Sequence, residues 1–499
     1  MSTQTAVAAA EPAPVPMSRM TRNSLGVLGG AAAVGMLGDA LLRATPWGIN
    51  LTLWTLALVA AAVGLRRWAG LDEAGRTWIW TSLGVAALAA WRDSPTLKAL
   101  DILALLLALG LAMARTRGVR LRAAGVAAYG VGLARGVFEV VAGLPALVLE
   151  DVRWGEVSRG RGGGVALPLL RGAALALPLL ALFGLLLASA DAAFEGVLDR
   201  VFQLPGDVVA SHLLLAGAVA WVAAGALRTL VLCDTAEEAP APAAPRLSLG
   251  IVEVATVLGS LNVLFAVFVA VQLPRLFGSA PDGGYAQFAR RGFFELVWVA
   301  GLVLPLLLGL HALLREPRHQ RAFRWLAGVQ VALLFVVIAS ALHRMRLYQG
   351  EYGLTELRLY TTAFMLWLAA VFGWFCATVL RGRRERFAFG AVVMAAEALV
   401  LLHAFDPDAR IVRTNAARAV AERPFDARYA AGLSADAVPA LLAALPGVAS
   451  PQERCTAAMR IQRRWGPDAP RDWRTWSLSR ARAHAAVRGA QAQIRAACA

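Results

Sequence analysis

The chain is predicted to be all-α: a polytopic transmembrane helical bundle of about eleven spans, twelve if one ambiguous block also crosses, with a small helical C-terminal domain. Three observations predict this. The first is composition: 58% of the 499 residues are hydrophobic and 16% charged, with a mean hydropathy of +0.59. Soluble domains carry about 25% charge, so a disordered chain is excluded and an ordinary soluble enzyme is disfavoured. The second is that the apolar residues come in blocks near bilayer length. The third is that the net charge of +16, almost all arginine, gathers in short loops between those blocks. Arginine there points to cytoplasmic loops and lipid headgroups, not to nucleic acid.

Residues 1–23 read as a disordered N-terminal arm. The apolar stretch that follows has no clear cleavage site, so it is taken as an uncleaved span. Residues 24–122 form a four-span front region with apolar blocks at 24–43, 48–65, 77–92 and 97–114. The block 123–149 carries Arg135 and Glu139 in its middle, an i, i+4 pair able to neutralise itself in a bundle or to face water on a helix lying in the membrane surface. The region 123–164 is therefore read as an in-plane or re-entrant segment and loop. Residues 165–404 form a core of seven spans, at 165–189, 207–232, 250–272, 293–314, 323–342, 359–380 and 386–404. The Pro/Ala-rich stretch 234–248 separates the front of the membrane region from the back.

Orientation follows from the arginines of loops 66–76, 115–122, 315–324 and 381–386, all of which belong in the cytoplasm by the positive-inside rule. An even number of crossings must then separate 122 from 315, so 123–149 stays out of the count. The N-terminus is expected in the cytoplasm and residues 405–499 outside. That tail holds 15 arginines and 8 acids and reads as several helices separated by Pro or Gly, with Ser434 and Asp436 as candidate caps. Cys455 and Cys498 are its two cysteines, and an oxidising compartment permits a bridge between them. Cys233 and Cys376 fall at cytoplasmic span ends and are expected to stay reduced.

Polar groups inside spans are costly and invite a functional reading. Asp39–Arg43 and Lys98–Asp101 have helical spacing and read as self-paired ions. Arg171 lacks a local partner, and Glu253 and Glu295 are the carboxylates expected to meet it in an intramembrane polar cluster. On the outer side, Asp191, Tyr285, Arg290, Arg291, Arg346, Tyr348, Tyr352 and Arg358 lie in three segments, 190–206, 278–292 and 343–358. These are expected to pack as one outer cap that pairs its own charges or contacts a ligand. No catalytic constellation, metal-ligand spacing or cofactor motif is present: the six histidines are scattered, and the Gly-rich run 160–164 follows no strand.

The segments LLRGAALALPLLALFGLLLASADAAFEGVL, GYAQFARRGFFELVWVA and RMRLYQGEYGLTELRLY, with DPDARIVRTNAARA and FDARYAAGLSADAVPAL in the tail, resemble a bacterial multi-pass membrane family known as domain of unknown function number 4173. The resemblance runs from about residue 165 to the end, and the front spans resemble nothing beyond hydrophobic helices. It implies an integral membrane protein of the bacterial inner membrane and supplies no substrate or cofactor. Two functions stand open: a non-enzymatic envelope scaffold whose tail binds a protein partner, or a transporter or lipid-handling protein with a polar path through the bundle. The lipid bilayer is a partner under either; nucleic acid is not expected.

Overall fold

The computed structural model describes residues 17–71, 75–157, 206–233, 248–277, 293–314, 319–419 and 425–499, with isolated positions between 158 and 205. Their regular elements are all helices, and ten of these are long and apolar enough to cross a membrane. The front region holds α1 (Arg19–Leu42), α2 (Ile49–Ala69), α3 (Arg76–Leu88), α4 (Pro95–Thr116), α5 (Val126–Ala146) and α6 (Gly206–Val231). The back region holds α7 (Ile251–Phe277), α8 (Phe293–Leu313), α9 (Gln320–Tyr352) and α10 (Glu356–Thr378), and α11 (Phe387–Phe405) joins the two. The third expected span, 77–92, is the exception in length: α3 has 13 residues and reaches the far end of the bundle through the turn at 89–92.

The bundle has two distinct ends. At one lie the arginine loops. Ser18 meets Glu156 there, Arg66 donates to the Leu230 carbonyl, Leu249 N donates to Leu313 O at 2.8 Å, and Gly382 abuts Arg324. At the other lies the tail: Ile49 N donates to Trp476 O and Leu478 N to Ala90 O, each at 2.8 Å. Apart from α5, successive helices run from one end to the other. The start of α1 and the C-terminal domain therefore sit at opposite ends.

Small residues set a close crossing in the front region. A Cβ on Gly35 would lie 2.5 Å from Ala220 Cβ, and one on Gly38 2.5 Å from Val219 Cγ1. α1 and α6 thus approach backbone to backbone, the packing that small-residue faces permit in lipid. Val27, Val34, Leu58, Ala224 and Leu227 form the front core, and Leu258, Leu307, Leu334, Phe372 and Phe375 the back core.

α5 has the length of a span but not the placement of one. Its first half packs on the last turns of α4, with Gly132 against Ala114, Leu133 against Gly110 and the Tyr129 hydroxyl donating to Leu121 O at 2.6 Å. Its second half packs on the last turns of α6: a Cβ on Gly143 would stand 2.4 Å from Gly225 Cα. It ends in a wide turn, Leu147–Asp151, where Asp151 pairs with Arg228 at 2.5 Å and its carbonyl accepts from Ser24 near the start of α1. Both ends of α5 thus lie at the arginine end. The expected Arg135–Glu139 pair is not what neutralises it: Glu139 instead binds Arg117 at 2.5 Å and Arg228 at 3.1 Å, and Arg135 is exposed.

The tail is a helical domain of α12 (Pro407–Ala417), α13 (Val438–Ala444), α14 (Pro451–Trp465), α15 (Leu478–Gly489) and α16 (Gln491–Ala496). Side-chain caps from Asp406, Ser450 and Ser477 begin α12, α14 and α15, satisfying amides left open at helix starts. Ser434 caps the turn that leads into α13. Ile411, Leu441, Ala458, Ile461 and Val487 form the core, which Leu359 of α10 also enters. Cys455 and Cys498 are disulfide-bonded, with Cα atoms 4.6 Å apart. Cys233 and Cys376 are free thiols.

Candidate functional site

The densest buried polar cluster lies where the tail meets α4, α10 and α11. It is built on two breaks in helix. The turn Trp91-Arg92-Asp93-Ser94 ends the α3 segment and starts α4 with Pro95, a residue suited to a first turn. The turn at Asp406 ends α11 in a left-handed conformation, φ 56°, and starts α12 with Pro407. Each break places charged residues beside the amides of a helix start.

Asp436, brought in by the tail, closes the cluster. Its carboxylate accepts from the backbone amides of Asp93 (2.8 Å) and Ser94 (3.1 Å), from Arg92 Nη1 (3.2 Å), and from the hydroxyls of Ser434 (3.1 Å) and Ser479. It therefore caps α4 from another domain, and a carboxylate at a helix start also meets a favourable dipole. Arg92 binds Asp406 at 2.6 Å and the His403 carbonyl at 2.7 Å. Asp93 joins Lys98 (2.7 Å) to Arg480 of α15 (2.8 Å).

Deeper, about 9 Å along α4 at 1.5 Å per residue, Asp101 Oδ2 faces His403 Nε2 at 3.3 Å; the two residues are 1% and 0% exposed. His403 Nδ1 lies 2.9 Å from Leu399 O, which can only accept, so Nδ1 carries a proton. Apart from the contact with His403, neither Asp101 oxygen has a hydrogen-bond partner among the described residues. Asp408 is also buried. It accepts from Ser434 Oγ at 2.5 Å, and burial pushes its carboxyl up to about 7. Burial likewise raises Asp406, against the pull of Arg92. Three cations (Arg92, Lys98, Arg480) face five carboxylates in this cluster.

Sequence reasoning placed this chemistry elsewhere. Lys98 and Asp101 do not pair with each other: Lys98 binds Asp93, and Asp101 binds His403. Asp39–Arg43 does form, at 2.7 Å, with His212 also on Asp39. Arg171, Asp191, Tyr285, Arg290 and Arg291 lie outside the described residues. Glu253 and Glu295 do not share a cluster. Glu253 is exposed at the arginine end, where it accepts from the Gly250 amide of its own helix start. Glu295 is exposed a helix length away, on the first turn of α8.

The segment 343–358 is not a free loop. α9 continues to Tyr352, and the turn after it is held by the tail: Asn415 exchanges hydrogen bonds with Leu354 at 2.7 and 2.8 Å. Tyr348, Tyr352 and Arg358 do gather, with the Arg358 guanidinium 4.1 Å from the Tyr348 ring centre, while Arg346 is exposed. Their neighbour is the tail. The other two segments of the expected cap, 278–292 and 190–205, lie outside the described residues. The cluster that sequence reasoning missed did leave a signal: WRDSP and HAFDPDA both put charge at a span end on the same side of the membrane.

The family described as "Domain of unknown function (DUF4153)" matches residues 79–444, well over half of the chain. The chain belongs to this family. The family number is thus 4153, not the 4173 of the sequence resemblance, and the match begins within the front spans and ends in α13. It contains Arg92, Asp93, Asp101, His403, Asp406, Asp408 and Asp436, whereas Ser479, Arg480 and both disulfide cysteines lie beyond it. Comparison with the curated proteins and with the solved structures found no match. The chain is thus a multi-pass integral membrane protein of a family without an assigned activity.

Proposed function

We propose that this protein is a non-enzymatic scaffold of the bacterial cytoplasmic membrane. Its bundle holds the helical domain of residues 405–499 rigidly on the outer face, where that domain binds a protein partner. The observation that carries the reading is Asp436. A tail carboxylate capping a membrane helix makes the domain part of the bundle's own fold, as a presented module requires. Orientation rests on the arginine loops, which belong in the cytoplasm and lie at the end opposite the tail. The bridged cysteines suit an oxidising compartment. The tail and the start of α10 also offer a depression of about 450 Å³ lined by Glu356, Asp426, Arg428, Tyr429 and Arg460, with both charge signs present for a polypeptide.

The test is proximity crosslinking in cells from a photoreactive residue at Arg428 or Arg460, with one at exposed Arg135 as the control. A protein adduct formed from the tail and not from Arg135 supports the reading. Adducts to lipid alone, or none, overturn it.

One observation favours a transporter or lipid-handling reading instead. Asn262 Oδ1, both amide atoms of Gln330 and Trp367 Nε1 are buried without hydrogen-bond partners among the described residues. Each lies about 15–17 Å from the arginine end by helix rise, so they share one depth midway through the back bundle. Uptake or flux in reconstituted vesicles that is lost in Gln330→Leu would favour that reading over the scaffold.

A further inference from the structure

The arginine end carries a surface that the scaffold reading does not use. The turn Leu121–Ala123 after α4 packs against the turn Arg384–Arg386 before α11, which joins two basic loops distant in sequence into one patch. Arg115, Arg122, Arg383, Arg384 and Arg386 are exposed there, with Glu385 as the acid among them. Beneath the patch are aromatic rings: Arg122 lies 5.9 Å from the Phe389 ring centre, and Phe389 stands edge-on to Trp78 at 6.4 Å. Aromatic rings under arginines mark the headgroup level of a bilayer.

α5 borders the same patch. Gly132, Gly136 and Gly143 bury one face of it against α4 and α6. On a helical wheel the opposite arc carries Val131, Val137, Phe138 and Val141, with Val137 68% and Phe138 67% exposed. Arg135 and Glu139 lie together on one flank of that arc, and Glu139 is tied to the helix-end arginines Arg117 and Arg228. A helix with both ends at one level, an apolar outer arc and a charged flank has the form of an interfacial helix.

We propose that the two arginine turns and α5 form a docking surface for anionic phospholipid, with the phosphates on Arg115, Arg122, Arg383, Arg384 and Arg386 and the acyl chains against Val131, Val137, Phe138 and Val141. Charge complementarity selects this occupant: five exposed arginines against one glutamate, set beside an apolar arc at headgroup depth, match a lipid with a net negative head. Basic clusters at the membrane surface attract such lipids. The surface does not depend on which compartment the arginine end faces.

The experiment uses the full chain purified in detergent and exchanged against equimolar phosphatidylglycerol and phosphatidylcholine, with retained lipid counted by native mass spectrometry. Phosphatidylglycerol is expected to be retained at least fivefold over phosphatidylcholine and to be lost as salt rises. The combined Arg122→Gln, Arg384→Gln and Arg386→Gln variant is expected to lose that preference. A control with the same charge change in the tail, Arg482→Gln, Arg488→Gln and Arg495→Gln, is expected to keep it. Equal retention of the two lipids by the unmodified protein, or a preference that survives the first variant, overturns the proposal. So does displacement by millimolar inorganic phosphate alone, which would mark a simple anion site. Should the first variant fail to fold, the salt titration of the unmodified protein decides: retention indifferent to salt also overturns it.

Discussion

Asp436 accepts five donors, and the consequence of removing it follows from what they become. Asp436→Ala leaves Arg92 buried with Asp406 as its remaining carboxylate and uncovers two amides at the start of α4. Breaking a buried ion pair from one side costs about 3–5 kcal/mol, enough to release the tail while the spans persist. Limited proteolysis checks this: cleavage between 405 and 425 should become fast in Asp436→Ala and stay slow in Asp426→Ala, which removes only the cap of a short turn. Asp408 makes the same junction pH-dependent. Its carboxyl is raised from 3.8 to about 7, chiefly by burial, so between those values the folded state holds a proton that the unfolded state has given up. The stability it contributes is therefore full below about pH 4 and lost as pH rises to about 7. Asp408→Asn should flatten this part of the profile of thermal midpoint against pH. A slope unchanged in the variant would assign it to another group.

At the scale of elements, backbone contact positions α5 and α6. A Cβ on Gly225 would stand 2.5 Å from Val140 Cα and 2.6 Å from Glu139 O, both backbone atoms that cannot swing aside. Gly225→Val should therefore push α5 off α6, with a cost of about 1–3 kcal/mol from overpacking. It should also loosen the Glu139–Arg228 and Asp151–Arg228 pairs. Gly217→Ala, on the same helix with nothing within 4 Å of the new Cβ, is the control. Thermal midpoints in detergent should separate the two, and equal midpoints would mean that α5 is not held by this crossing. This element also marks where reading the sequence ran out. Apolar blocks and arginine spacing were enough to place α1, α2, α4 and α6–α11. Parity of the arginine loops kept 123–149 out of the crossing count, and the packing of α5 lies along one end of the bundle. The pairings were not legible, because Glu139 finds Arg117 and Arg228, 22 and 89 residues away in the chain, and Asp101 finds His403, 302 residues away. Helical spacing offers a nearer partner in each case.

For the whole molecule, the three largest cores among the described residues are a front bundle, a back bundle and a tail whose core takes in Leu359 of α10. Among the described residues most spans were accessible from hydropathy, whereas the docking of the tail depends on side chains at span ends that hydropathy scores only as boundaries. The geometry puts the start of α1 and the tail at opposite ends, and the cysteines turn that into a measurement. Cys455 and Cys498 close 43 residues of the tail, a constraint worth about 4 kcal/mol in the loop-entropy model. Cys233 and Cys376 lie near the arginine end, just past the C-terminus of α6 and in the last turn of α10. In intact cells a membrane-impermeant maleimide should label none of the four. Reduction before labelling should expose Cys455 and Cys498 to it, and Cys233 and Cys376 should require the membrane to be opened. Reduction should also lower the thermal midpoint of the tail without reaching the bundle cores, since both bridged cysteines lie in α14 and after α16, away from the junction at Asp436. Tail thiols that react only after permeabilisation, with or without reductant, would put the tail in the cytoplasm. The arginine loops would then face outward, and the outer-face half of the proposed function would fall with them.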